Sequence, residues 1–205
     1  MQRNQEASPP LQSGLGIELR VIPSLRHLNG MVYLITFSCY GLRVPGDENF
    51  VSRRNNLVGA RQSPPSPALA RAARATMIGP TQELDGDQRK LVLQTAIDVC
   101  RHRDWTLLAA HVRTAHVHAV VAAEVPPERI MNALKSYSSR ALNCHRRWAR
   151  HGSTRYLWTL DEVASAIRYV VSKQGEPMAV YAEPQPSPDR QGGDGNHGIN
   201  ADVDR

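Results

Sequence analysis

The chain has 205 residues, 41% of them apolar and 21% charged, with a net charge of +6, which suits one globular domain with a sizeable core and hardly leaves room for two. No stretch approaches the roughly 18 apolar residues of a membrane span, and the opening MQRNQEASPP has no apolar signal-peptide core, so a cytosolic protein is expected. Three cysteines, Cys39, Cys100 and Cys144, stand far apart with no C-x-x-C, a pattern that fits reduced thiols better than a disulfide framework or a zinc knuckle.

In chain order, residues 1–27 carry few periodic apolar positions and read as a disordered arm. MVYLITFSCY, residues 31–40, is rich in β-branched and aromatic residues and reads as a strand ending at Gly41. Residues 45–86 read as an irregular insertion with one short helix around 67–77. DQRKLVLQTAIDVCRHR places Leu91, Val92, Thr95, Ala96, Val99 and Cys100 at helical spacing behind Asp87 as N-cap. DWTLLAAHVRTAHVHAVVAAE reads as two strands turning near Thr114 and Ala115. Pro126 and Pro127 open a helix with Ile130, Leu134, Ala141 and Leu142 on its apolar stripe. RYLWT reads as a short strand, Thr159 caps the helix DEVASAIRYVVSKQ, Gly175 and Pro177 stop it, and MAVYA adds an edge strand. The Pro-, Gly- and Asp-rich residues 183–205 read as a disordered tail. Hairpin-linked strands mixed with helices predict an α+β fold, a ferredoxin-like antiparallel sheet covered by helices, in a single domain over residues 28–182.

Three features bear on function. In RTAHVHAVV, His116 and His118 project from one face of a strand. Two neutral imidazoles there can grip a divalent cation, although such a pair also occurs as a plain surface feature. From Arg129 to Arg155 the chain carries Arg129, Lys135, Arg140, Arg146, Arg147, Arg150 and Arg155 without one acid. A solvated helix face usually mixes both signs, whereas a one-sign run attracts phosphates. Tyr169 in AIRYVVSKQG is either a core aromatic with its hydroxyl at the rim or a nucleophile on a rigid helix. Trp105, Trp148 and Trp158 are expected in the core, an exposed one being able to stack on an unpaired base.

Five segments together, LITFSCYG, AHVHAVV, LKSYSSRALN, RHGSTRYLW and IRYVVSKQGEPMAVY, resemble the single-tyrosine transposases of the HUH superfamily, the insertion-sequence-200-like group that includes the repeat-associated tyrosine transposases. The resemblance runs from about residue 31 to 181. It implies an HUH endonuclease fold and an enzyme that cuts and rejoins single-stranded DNA, often at hairpin-marked ends, through a 5′-phosphotyrosine with Mg2+ or Mn2+, usually as a homodimer. It implies Tyr169 as nucleophile and His116 and His118 as metal ligands. The third ligand of such proteins often lies one turn after the tyrosine, where this chain has Lys173, followed by Gln174. At about 100° per residue Lys173 lies on the Tyr169 face and Gln174 off it unless the helix loosens before Gly175; by resemblance Gln174 is the ligand, and Lys173 either touches the phosphate or lowers the tyrosine pKa, as in replication initiators of the same superfamily. Lys135, Ser138, Arg140, Arg146 and Arg147 are the other expected DNA contacts. Tyr137, in the basic helix, is the rival nucleophile, and His111 and Arg113 are supporting residues of undetermined role.

Two other readings compete. A hydrolase that uses His-x-His to activate water needs further His or Asp ligands, absent at useful positions. A non-catalytic or domesticated nucleic-acid-binding derivative of such a transposase keeps the basic helix and forms no covalent adduct.

Overall fold

The computed structural model describes residues 30–48 and 64–183. The expected N-terminal arm, residues 49–63 of the insertion and the tail beyond 183 lie outside them. The described chain runs β1 (Met31–Cys39), α1 (Pro67–Ala75), α2 (Gly86–His102), β2 (Thr106–Val112), β3 (His116–Ala123), α3 (Pro127–Ala141), β4 (Trp148–Leu157), α4 (Leu160–Ser172) and β5 (Ala179–Ala182). Its strands form one antiparallel sheet in the order β4-β1-β3-β2-β5. Strands β1 to β4 with α2 and α3 make the split βαββαβ arrangement of a ferredoxin-like core, to which α4 and β5 are added. The α+β expectation holds. No described helix is long and apolar enough to cross a membrane.

Local chemistry sets the helix ends. Helix α2 starts behind Asp85 rather than Asp87. Asp85 Oδ1 accepts from the Gln88 N–H at 2.8 Å, and Gln88 Oε1 accepts from the Asp85 N–H at 3.3 Å, a reciprocal cap that satisfies two otherwise orphaned donors. Asp87 instead sits in the first turn, where the helix dipole favours its charge. The same device starts α4. Thr159 Oγ1 accepts from the Glu162 N–H, and Glu162 Oε2 accepts from the N–H groups of Thr159 and Trp158. In α3 Ile130 and Leu134 are buried as expected, whereas Ala141 turns to solvent in the last turn. β4 is longer than RYLWT, beginning at Trp148, and Trp158 and Thr159 have already left the sheet.

Strand parity divides the interior into two layers. Tyr33, Ile35 and Phe37 of β1 and Val117, Ala119 and Val121 of β3 pack against α2 and α3. Val32, Val120 and Ala122 face the opposite way, onto Val163, Ala166, Ile167 and Val170 of α4. Central β3 is therefore buried on both faces, which explains its almost unbroken apolar run. A bulge in β2 between Leu107 and Ala109 shifts the register against β3. Since a shift of one residue inverts a strand's faces, Leu108 and Ala109 both join the α4 layer, and His111 beyond them pairs with His118 and points towards α4.

A second irregularity lies in β4, where Gly152 pairs with Phe37 and Trp148 with Cys39. The carbonyls of Ala149, Arg150 and His151 in this bulged stretch are met by Lys135 Nζ, at 2.9, 3.5 and 3.1 Å. Gly152 itself passes so close to β1 that a Cβ would lie 2.6 Å from the Thr36 carbonyl oxygen and collide with Met131 Sδ, so only glycine fits.

Candidate active site

β3 opens with His116 and His118, and strand alternation turns both to the α4 layer. Their ring centroids are 4.7 Å apart with planes at 80°. His118 is only 6% exposed, and its Nδ1 lies 2.8 Å from Oγ1 of Thr36, its register partner on β1. Nε2 is thereby the ring nitrogen left for another partner. Burial, followed by the charge of His116, holds His118 down to about 4, and burial followed by Arg113 and Arg43 lowers His116. Both rings are therefore neutral at pH 7, the form that can donate a lone pair to a cation. The same arginines make the setting electropositive.

Helix α4 brings Tyr169 to this pair. The buried stripe Val163, Ala166, Ile167 and Val170 fixes the helix on the sheet and leaves Tyr169 at its margin, 41% exposed. The Tyr169 ring centroid is 5.6 Å from that of His118, edge to face at 79°. The helix stops at Ser172, with Lys173 at φ −111°, ψ 20° as its C-cap. This loosening turns Gln174 back under the helix end, so the regular 100° projection does not apply to it. Gln174 Nε2 donates to the Tyr169 carbonyl at 3.3 Å, and its amide lies near enough to His116 and His118 to favour their charged forms. Lys173 is exposed and meets the helix end through its own N–H, which donates to the Tyr169 carbonyl at 3.2 Å.

His111 is completely buried and ties the parts together. Its Nδ1–H donates to the Val170 carbonyl at 2.9 Å, in place of the helical N–H that the early stop removes. Its Nε2 accepts from the Met178 N–H at 3.3 Å. Both bonds are satisfied only by the neutral ring with its proton on Nδ1, and burial lowers its proton affinity in keeping with that. Arg113 Nη1 donates to the Glu176 carbonyl at 3.0 Å. The segment 173–178, which carries Gln174, is thus held at both ends by β2 and its turn. Thr36 and Arg43 have no signature in the sequence; only the β1–β3 register could have pointed to Thr36.

The residues expected to meet DNA do not form one surface. Lys135 and Ser138 are turned inward: Lys135 supplies the donor for the carbonyls that the β4 bulge frees, whereas Ser138 Oγ is buried without a hydrogen-bond partner. Burial pulls the Lys135 ammonium down to about 8, while three carbonyls surround it. Arg147 is also buried, with Nη1 donating to the Glu83 carbonyl at 2.8 Å. Arg140 and Arg146 are exposed. The guanidinium of Arg140 lies 5.4 Å from the Tyr137 ring centre and that of Arg103 at 6.0 Å. Tyr137 packs on the α2–α3 side of the sheet, the face opposite the histidine pair. Trp105 and Trp148 pack against the core, but Trp158 does not.

Among the described residues no three His, Cys, Asp or Glu side chains gather as a ligand set. The donors that converge are two imidazole nitrogens and the oxygen of an amide whose nitrogen is already committed to Tyr169. Imidazole nitrogens with an amide oxygen are donors that could hold a first-row divalent cation, and the Thr36 hydroxyl beside His118 Nδ1 fixes the orientation of that ring.

Residues 81–171 match the family model described as transposase, IS200 like. No curated protein matches the chain. A solved structure of a REP-associated tyrosine transposase bound to a REP hairpin is similar at 12% identity and a TM-score of 0.43, covering 70% of this chain and 66% of that one. The matched stretch runs from the approach to α2 to the last turn of α4, so it holds both histidines of the pair and Tyr169 but leaves β1 and β5 outside it.

Proposed function

We propose that the chain cuts and rejoins single-stranded DNA by transesterification, with Tyr169 as nucleophile and with His116, His118 and Gln174 holding Mg2+ or Mn2+. The observation that carries this reading is the shared sheet face: Tyr169 stands beside His118, whereas Tyr137 lies behind the sheet. Tyr169 Oη attacks phosphorus, the bond from phosphorus to the 3′ oxygen breaks, the phenol gives up its proton and the departing 3′ oxygen takes one. The 5′ phosphate is left esterified to Tyr169. A 3′ hydroxyl attacking that ester reverses the sequence, so the bond energy is conserved and no nucleotide is hydrolysed. The cation, when bound, supplies Lewis-acid stabilisation of the charge that develops on the phosphoryl oxygens. His118 is held by Thr36, Gln174 by the Tyr169 carbonyl, and Arg43 and Arg113 add fixed positive charge for the phosphate. Hairpin-marked element ends, a homodimeric enzyme and a cytoplasmic, DNA-associated location complete the proposal on the strength of the family resemblance.

The test is incubation with labelled single-stranded DNA and Mn2+ followed by denaturing electrophoresis. Wild type and Tyr137→Phe should give a shifted covalent band that Tyr169→Phe lacks. A band lost only in Tyr137→Phe would move the nucleophile to α3. Wild-type binding without any adduct would favour the non-catalytic DNA-binding reading.

A further inference from the structure

Trp158 is 71% exposed and lies parallel to Tyr156, with centroids 5.4 Å apart and planes at 12°. Tyr156 is braced in turn against the buried Tyr33, edge to face at 5.1 Å. The Trp158 backbone is also fixed, since its N–H donates to Glu162 Oε2 at 2.7 Å beside the Thr159 cap. Two large rings are therefore held out in solvent by the core and by a helix cap. Covering them would gain apolar burial at little cost in side-chain freedom.

The approach to these rings says what kind of molecule covers them. β4 is an edge strand, and it presents exposed Arg150, His151, Ser153 and Arg155 with no acid between Trp148 and Trp158. Two carboxylates border the strand, and both are engaged: Glu162 accepts from the N–H groups of Trp158 and Thr159 and lies 3.7 Å from Arg155, and Glu128 Oε1 accepts from Thr154 Oγ1 at 3.2 Å. A purely apolar partner would have to desolvate the two arginines. An extended polyanion with flat apolar bases satisfies both the cationic row and the aromatic stack.

We propose that Trp158, backed by Tyr156, is a stacking platform for an unpaired nucleobase of single-stranded DNA whose backbone follows β4 past Arg155. This rests on the reading of the chain as a single-strand DNA enzyme and adds a contact remote from its chemistry. Trp158 precedes α4, whose first residue Leu160 is separated from Tyr169 by about 14 Å along the helix axis. The platform would hold the strand at a set distance from the cut and, because every base has a π face, would tolerate any base.

The experiment is a tryptophan-emission titration of the full chain with single-stranded oligonucleotides of two sequences and with blunt duplex of equal length, in wild type, Trp158→Ala, Trp158→Phe and Tyr156→Ala, with thermal unfolding of each. Wild-type emission should be quenched by both single strands. Trp158→Ala should lose most of that quenching and bind single strands roughly 5- to 150-fold more weakly, the range for one base–aromatic stack. Trp158→Phe should retain most of the affinity, and duplex binding should not change. Unaltered single-strand affinity in a folded Trp158→Ala overturns the platform, and if its oligomeric state changes instead, the occupant is a second copy of the chain. Covalent labelling at Tyr169 that persists in Trp158→Ala at saturating DNA separates the platform from the chemistry, whereas a wild type that binds no single strand removes both.

Discussion

Tyr169 and His118 meet edge to face, their ring centroids 5.6 Å apart. Each ring is turned by its own element, but their meeting depends on where α4 packs on the sheet. His118 reaches the α4 layer by strand parity, and Tyr169 is held at the rim by the four buried residues on its own helix. Packing and chemistry are therefore separable at this pair, which allows the surrounding residues to be tested one at a time.

The imidazole pair and its support should behave as a cation site. Mn2+ should raise the unfolding temperature of wild type but not of His116→Ala/His118→Ala, because only a ligand bound to the folded chain stabilises it. Thr36→Val keeps the shape of the side chain and removes the oxygen next to His118 Nδ1. Mn2+ affinity should fall by about 10- to 100-fold, and Thr36→Ser should restore it. Cleavage that survives excess chelator would take the cation out of the mechanism.

His111 should matter to α4 rather than to metal affinity itself. His111→Leu leaves the Val170 carbonyl and the Met178 N–H without partners in the interior, at about 1–3 kcal/mol for each group. Urea unfolding should register that loss, and hydrogen exchange should show α4 and β5 opening before the α2–α3 layer. Uniform protection across the molecule in the variant would contradict the role given to this ring.

Acid should destabilise the metal-free fold through the same imidazoles. Burial holds His118 down to about 4 in the fold, against about 6.5 for an ordinary histidine, so between those values the unfolded chain binds more protons. The contribution of His118 is complete above about pH 6.5 and is lost as pH falls through 4. That gap is worth on the order of 3 kcal/mol, and burial lowers His116 and His111 in the same direction. The urea midpoint should drop between pH 7.5 and pH 5, and drop less in His118→Asn. Equal slopes in the two proteins would mean that another group carries the effect.

Cations of the basic run should separate into two classes. Arg140→Ala should weaken DNA binding and reduce the salt slope by about 1, as expected for an exposed phosphate contact. Lys135→Met should leave the slope alone and lower stability, because Nζ is consumed by the carbonyls of the β4 bulge. Affinity against salt concentration, measured alongside urea unfolding, distinguishes them; a Lys135→Met protein of normal stability with a reduced slope would reverse the assignment.

The sequence by itself determined the element order, the helix cap at Thr159, the common face of His116 and His118 and the helical setting of Tyr169. Each of these depends on backbone periodicity or hydrogen bonds within a few residues. It misplaced the start of α2 by two residues for a related reason, since Asp85 and Asp87 are chemically alike and only the Gln88 partner distinguishes them. Tertiary structure alone decided which tyrosine joins the histidines, because the face of a sheet on which a helix packs is set by strand order and crossover. It also decided that Thr36 supports His118, through a register between strands 82 residues apart, that Lys135 serves a bulge rather than a phosphate, that Gln174 folds back where α4 ends early, and that Trp158 stands in solvent. These outcomes depend on which distant backbones meet, and spacing along a chain does not encode that.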